Sequence, residues 1–179
     1  MTVLIAYATS EGQTRKIARH IADRIADGGG AVELVHVADA EEIELGRFDR
    51  VILAGSIHIG HYQRALSDFA ARYADQLNSR ATMFVSVSLA AAGHDADDWN
   101  GFEPILDDFK AATGWTPGHV AQVAGAYQPS RYDIFRRFVM RRIVASKQPA
   151  GTDLDADKEY TDWPALDALV DGWIRTPAQ

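Results

Sequence analysis

Three hydroxyls, a glycine and two further polar side chains are gathered in Thr9-Ser10-Glu11-Gly12-Gln13-Thr14. Hydroxyls at this density can donate hydrogen bonds to an anion, and glycine allows close backbone approach or a positive φ. The stretch has no lysine in the pattern that cradles a nucleoside triphosphate, and no G-x-G-x-x-G of a dinucleotide loop. A short hydroxyl-rich loop without an internal cation suits one terminal phosphomonoester, such as that of FMN. The same run also reads as an ordinary helix start, with Thr9 or Ser10 as N-cap.

A second polar cluster is Ser56-Ile57-His58-Ile59-Gly60-His61-Tyr62. One of its histidines can hydrogen-bond a bound ring or a carboxylate; the plain alternative is a polar surface loop. Tyr62 either stacks on a bound ring or packs against the next helix. A third stretch runs from Ser88-Leu89-Ala90 into His94-Asp95-Ala96-Asp97-Asp98. Its acids match no calcium-loop spacing and read as helix-cap carboxylates, so no metal is expected. His20, His36 and His119 fall on element faces and read as structural.

The elements around these loops alternate. Val3 to Ala8 is a continuous apolar run, too apolar for a one-sided surface strand. Ile17, Ala18, Ile21, Ala22 and Ile25 follow at helical spacing, and Gly28-Gly29-Gly30 stops that helix. A strand from Ala31 to Val37, a brief turn over Ala40 to Leu45 capped by Asp39, and a strand from Val51 to Gly55 come next. Leu66, Phe69, Ala70, Tyr73 and Leu77 mark one helix ending at Asn78-Ser79. A strand from Thr82 to Leu89 is followed by a helix through Phe102, Ile105, Leu106 and Phe109, closed by Gly114. His119 to Ala126 reads as the last strand. The final helix opens at Thr161 or Asp162, has Pro164 in its first turn, and buries Trp163, Leu166, Leu169, Val170 and Trp173.

Strands alternating with helices of this length predict an α/β, doubly wound, five-stranded parallel sheet of order 2-1-3-4-5. In that order the loops after the first, third and fourth strands meet at the carboxyl edge. The third strand ends Ala54-Gly55-Ser56 without a carboxylate, which argues against a response regulator. Residues 1–179 are expected to form one domain, with 127–160 as a long insertion before the last helix. Tyr132 to Val144 reads as a helix with arginines spread among its apolar residues, and 147–158 as loop.

The chain has a net charge of -7 and no cysteine, which excludes disulfides and thiolate chemistry and fits a reducing compartment. Residues 131–147 hold six basic side chains and one acid, so the remainder carries a strong negative excess. That balance is not that of a nucleic-acid binder; it points to one surface for an anionic partner. No leader is apparent before the first strand, and no apolar run reaches the ~20 residues of a membrane span.

The phosphate loop, Ser56-Ile57 with Gly60-His61-Tyr62, Ser86-Val87-Ser88-Leu89 and Ala124-Gly125-Ala126 together resemble a known family. So do Arg131-Tyr132 with the Phe/Met/Ile/Arg helix behind it, and Tyr160-Thr161-Asp162-Trp163. The resemblance, nearly end to end, is to the flavodoxin-like, menaquinone-dependent protoporphyrinogen IX dehydrogenases of haem biosynthesis. It implies non-covalent FMN, protoporphyrinogen IX as substrate, and a membrane quinone, menaquinone or ubiquinone, as acceptor. It implies cofactor contacts at Thr9, Ser10, Glu11, Gly12, Gln13, Thr14, Ser56, Ile57, His58, Gly60, Tyr62, Ser88, Leu89, Ala90 and Gly125. Substrate or membrane contacts are expected at His61, Arg131, Tyr132, Phe135, Arg136, Arg137, Arg141 and Arg142. No protein nucleophile is required. The expected location is cytoplasmic, at the inner face of the membrane, and self-association stays open. The chain departs from the family's pattern at His58, where a basic residue is usual, at the acidic Asp95 to Asp98, and at the less basic Tyr127 to Ser130. A flavodoxin-type electron carrier or a quinone reductase with another substrate is the alternative.

Overall fold

The computed structural model describes residues 1–40, 42–58, 60–89, 91, 101–127 and 157–177. Its centre is a parallel sheet built from β1 (Thr2–Tyr7), β2 (Ala31–His36), β3 (Arg50–Ser56), β4 (Ala81–Ser88) and β5 (His119–Ala124). The strand order is β2-β1-β3-β4-β5, as the alternation of elements predicts. Around it lie α1 (Gln13–Asp27), α2 (Arg64–Arg72), α3 (Ala74–Asn78), α4 (Phe102–Thr113) and α5 (Trp163–Arg175).

Both faces of the central strands are covered, which is why they read as unbroken apolar runs. Leu4, Ala6, Leu53 and Phe84 face a layer with Leu66, Phe69, Leu106 and Phe109 from α2 and α4. Val3, Ile5, Ile52 and Val85 face Ile17, Ile21, Leu166 and Val170 from α1 and α5. The side-chain period of two sends alternate residues of one strand to opposite layers. Asp162 caps α5, its carboxylate accepting from the Ala165 amide at 3.0 Å.

Four local expectations are corrected. The turn after β2 spans Val37–Asp39 and is opened by His36, whose Nδ1 accepts from the Ala38 amide at 3.1 Å. Asp39 therefore ends that turn, and the next turn, Leu45–Arg47, is opened by Glu44. The helix over Leu66 to Leu77 is two helices, α2 and α3, broken at Tyr73. The Tyr73 hydroxyl accepts from the Ile43 amide at 3.1 Å, so a tertiary contact holds the residue at the break. The last strand stops at Ala124: the Gly125 amide donates to the Ser88 carbonyl at 3.0 Å, and the chain then leaves the sheet. Ala126–Tyr127 (β6) pairs antiparallel with Lys158–Glu159 (β7), so the segment expected as loop through Lys158 ends in a strand. This ribbon closes the root of the insertion; Arg131 to Val144 lies outside the described residues.

Candidate functional site at the carboxyl edge

The first loop joins β1 to α1. Gly12, the helix N-cap, has φ 97, a left-handed conformation that costs glycine little. No side chain caps the helix, so neither Ser10 nor Thr9 is the N-cap. Thr9 instead folds the loop on itself, its hydroxyl accepting from the Gly12 amide at 2.9 Å. The first intrahelical bond runs from the Lys16 amide to the Gly12 carbonyl at 3.0 Å. The earlier first-turn amides have no intrahelical acceptor, and the positive end of the helix dipole stands behind them.

Thr14 carries the most telling side chain. It is 1% exposed, and its hydroxyl oxygen is buried without a hydrogen-bond partner among the described residues. A buried hydroxyl left so costs about 1–3 kcal/mol, a penalty that an anion in the loop would remove. The dipole, the left-handed glycine and the orphaned hydroxyl together fit a phosphate.

Gln13 serves a different purpose. Its side-chain amide donates to Glu159 Oε1 at 2.9 Å and to the Thr161 hydroxyl at 3.0 Å. The Thr161 hydroxyl donates in turn to the Ala124 carbonyl at 2.7 Å, and Lys16 Nζ reaches Glu159 at 2.7 Å. Burial tends to raise the Glu159 pKa, but hydrogen bonds from Lys16 and Gln13 outweigh it and hold the carboxyl below its ordinary value. Both side-chain donors of Gln13 are thereby committed to the returning end of the insertion.

The second loop leaves β3. The His58 amide donates to the His61 carbonyl at 2.8 Å, and the His61 amide returns a bond to His58 at 3.1 Å. Gly60, with φ 77, makes the tight turn between them possible. His58 stands between the two loops, with Nε2 at 3.2 Å from the Ser56 hydroxyl and Nδ1 at 4.0 Å from Glu11 Oε1. His61 is exposed. The Ile57 amide donates to the Val87 carbonyl at 2.9 Å, extending the loop along β4.

Tyr62 is a core residue, which decides between its two readings. Its ring packs 4.9 Å from both Phe84 and Phe109, and its hydroxyl is 2.8 Å from that of Ser86. Burial pushes the phenol pKa up to about 12, although the Ser86 hydrogen bond works against the shift. With only 8% of the residue exposed, the ring offers no open face for a stacked cofactor.

The third wall follows β4 and β5. The Ser88 hydroxyl accepts from the Ala91 amide at 3.1 Å, and Leu89 is half-buried. Gly125 accepts from the Tyr160 amide at 3.0 Å. A Cβ at Gly125 would lie 3.1 Å from Val87 Cγ1, so glycine permits the close approach of this loop to β4. Ala90, the acids from Asp95 to Asp98, and Arg131, Tyr132, Phe135, Arg136, Arg137, Arg141 and Arg142 lie outside the described residues.

Sequence reasoning missed Gln63. Its Oε1 accepts from the Ser56 amide at 3.3 Å, and its Nε2 donates to the Ser56 hydroxyl at 2.6 Å and the Ser10 hydroxyl at 3.3 Å. The one local hint was a glutamine at a helix N-cap, a position that favours short side chains.

A strand–loop–helix suited to an anion at the switch point of a 2-1-3-4-5 sheet defines a flavodoxin-like α/β protein. The chain matches the Flavodoxin domain family over residues 4–153. It is 33% identical over 167 residues to the protoporphyrinogen IX dehydrogenase (quinone) of Escherichia coli strain K12, covering 91% of this chain and 89% of that one. A protein of the same name from Leishmania major is 28% identical over 177 residues, covering 97% of this chain and 75% of its own. Among solved structures, oxidised Flavodoxin 1 from Bacillus cereus superposes with a TM-score of 0.55 at 14% identity, covering 99% of each chain. The chain belongs to the flavodoxin domain family and, within it, to the quinone protoporphyrinogen IX dehydrogenases.

Proposed function

We propose that the protein is an FMN-dependent oxidoreductase that dehydrogenates protoporphyrinogen IX and delivers the electrons to a membrane quinone, menaquinone or ubiquinone. The buried Thr14 hydroxyl, without a partner among the described residues, beside the left-handed Gly12 is the observation that carries the cofactor half of this reading. The family relationship carries the substrate half. Bound FMN supplies the redox chemistry, so the chain needs no nucleophile of its own.

The residues divide the remaining work. Thr14, the loop amides and the hydroxyls of Thr9 and Ser10 hold the phosphate. Ser56 and His58 border the ring, and Ser88 to Ala90 with Gly125 form the opposite wall. His58 and His61 offer hydrogen bonds to the ring or to a substrate propionate. The arginines of the insertion, Arg131, Arg136, Arg137, Arg141 and Arg142, attract the propionates or an anionic membrane, with Tyr132 and Phe135 adding apolar contact. No helix among the described residues is long and apolar enough to cross a membrane. In this reading a bilayer-dissolved quinone is reached from the surface, at the cytoplasmic face.

The test is anaerobic mixing of flavin-loaded protein with protoporphyrinogen IX. Bleaching of the flavin absorbance, followed by recovery on adding menaquinone, is the expected result. Recovery with quinone after chemical reduction, but no bleaching by the porphyrinogen, would make the protein a carrier or quinone reductase with another substrate.

A further inference from the structure

We propose that Gln63 is a positioning residue that sets the gap between the two cofactor loops before the cofactor binds. The inference rests on the FMN reading above. Gln63 is the N-cap of α2, yet its side chain makes no capping bond to its own helix. The amide turns instead to the carboxyl edge, where one acceptor and two donors tie Ser56 and Ser10 together. Ser10 belongs to the phosphate loop and Ser56 opens the loop after β3, so a single planar group spans both walls.

The fold supports this placement. A Cβ on Gly55 would meet Leu66 Cδ2 at 2.3 Å and Gln63 Oε1 at 3.5 Å. Glycine at this position lets the start of α2 settle against the end of β3, which seats Gln63 over Ser56. Glu11 and His58, 4.0 Å apart, form a second link between the same loops. That link needs a charged imidazole, whereas the amide bridge is neutral. A gap set in advance spares the cofactor the cost of ordering two loops when it binds.

Fluorescence-quench titrations with FMN and with riboflavin separate positioning from direct contact. Gln63→Leu keeps the bulk and loses the bridge; it should weaken both flavins by a similar factor of roughly 10-fold. Thr14→Val should weaken FMN alone. Gln63→Glu can still accept from the Ser56 amide and from both serine hydroxyls, which then donate. It should bind riboflavin nearly as wild type does, but FMN more weakly, because its charge faces a phosphate.

Unchanged binding of both flavins by Gln63→Leu overturns the proposal, as does a loss confined to FMN, which would mark a direct phosphate contact. If thermal melting shows Gln63→Leu to be unfolded, Gln63→Ala decides by the same outcomes: both flavins weakened alike supports the bridge, and both unchanged, or a loss confined to FMN, overturns it. Wild-type protein that binds neither flavin overturns the cofactor reading and this proposal with it. Wild type that binds FMN beside an unaffected Gln63→Leu overturns the proposal alone.

Discussion

The two faces of the sheet are packed by different chemistry. On one, Tyr62, Phe84, Phe109 and Trp115 form a cluster of rings, with Phe84 and Phe109 stacked at 5.0 Å and 9°. On the other, Ile17, Ile21 and Ile25 of α1 lie on Val3, Ile5 and Ile52, and α1 is tied along its rim to α5 and β7 by polar side-chain contacts. His20 meets Asp167, Arg24 meets Asp171 and Lys16 meets Glu159, each at 2.7 Å. The aromatic face fixes the loop after β3, because Tyr62 at the end of that loop is part of the cluster. The aliphatic face fixes the phosphate loop and the return of the insertion, because α1 and α5 both rest on it. A few large rings concentrate stability in single residues; a field of aliphatics with exposed ion pairs spreads it thinly.

Substitutions can break that contrast, and the largest effect is expected on the aromatic side. Phe109→Ala removes a buried ring from the centre of the cluster and should cost about 3–5 kcal/mol in urea unfolding. A loss below ~1 kcal/mol would mean that the cluster is not a concentrated support.

Tyr62→Phe is expected to come next. It leaves the Ser86 hydroxyl buried without its partner, at a cost of about 1–3 kcal/mol. The pH dependence follows from the raised phenol pKa. An unfolded tyrosine ionises near pH ~10, whereas the folded Tyr62 does so at about 12. The stability contributed by the neutral phenol is therefore complete below the unfolded value and is lost as pH rises through the folded one. Unfolding across this alkaline range should steepen for wild type and be shallower for Tyr62→Phe.

On the aliphatic face, Ile21→Val should cost about 0.5–1.5 kcal/mol, measured in the same way. Smaller still is Asp171→Asn. The hydrogen bond from Arg24 is the main cause holding the Asp171 carboxyl below its usual value, so the pair contributes above the unfolded pKa and fades as pH falls through the lowered one. The pair lies in solvent, and its effect should shrink further in high salt. A salt-independent effect of Asp171→Asn as large as that of Tyr62→Phe would remove the distinction between the faces.

The same contrast explains what could be read from the chain. The strand, loop and helix from Val3 to Ile25 were legible because period, glycine and hydroxyls are all local signals. Asp162 at the start of α5 and Gly114 at the end of α4 were legible for that reason. Contacts across long stretches of sequence were not. The Gln63–Ser10 bond spans 53 residues and the Gln13–Glu159 bond 146. At the break the Tyr73 hydroxyl accepts from the Ile43 amide, 30 residues earlier, a contact that leaves no mark on the apolar stripe. Gln13 was assigned to the phosphate from its place in the loop, whereas the fold turns its amide toward the insertion. Tyr62 carried an aromatic ring into a polar loop, and only the surrounding phenylalanines show that it belongs to the core.

The central claim is that the loop from Thr9 to Thr14 binds the phosphate of FMN, and equilibrium titration of the apoprotein tests it most directly. The account predicts one FMN per chain, tighter binding of FMN than of riboflavin, and roughly 10-fold or greater weakening of FMN by Thr14→Val, as expected for a lost hydrogen bond to a charged acceptor. Riboflavin affinity should be unchanged by that substitution. Equal affinity of wild type for FMN and riboflavin, or FMN binding indifferent to Thr14→Val, would contradict it.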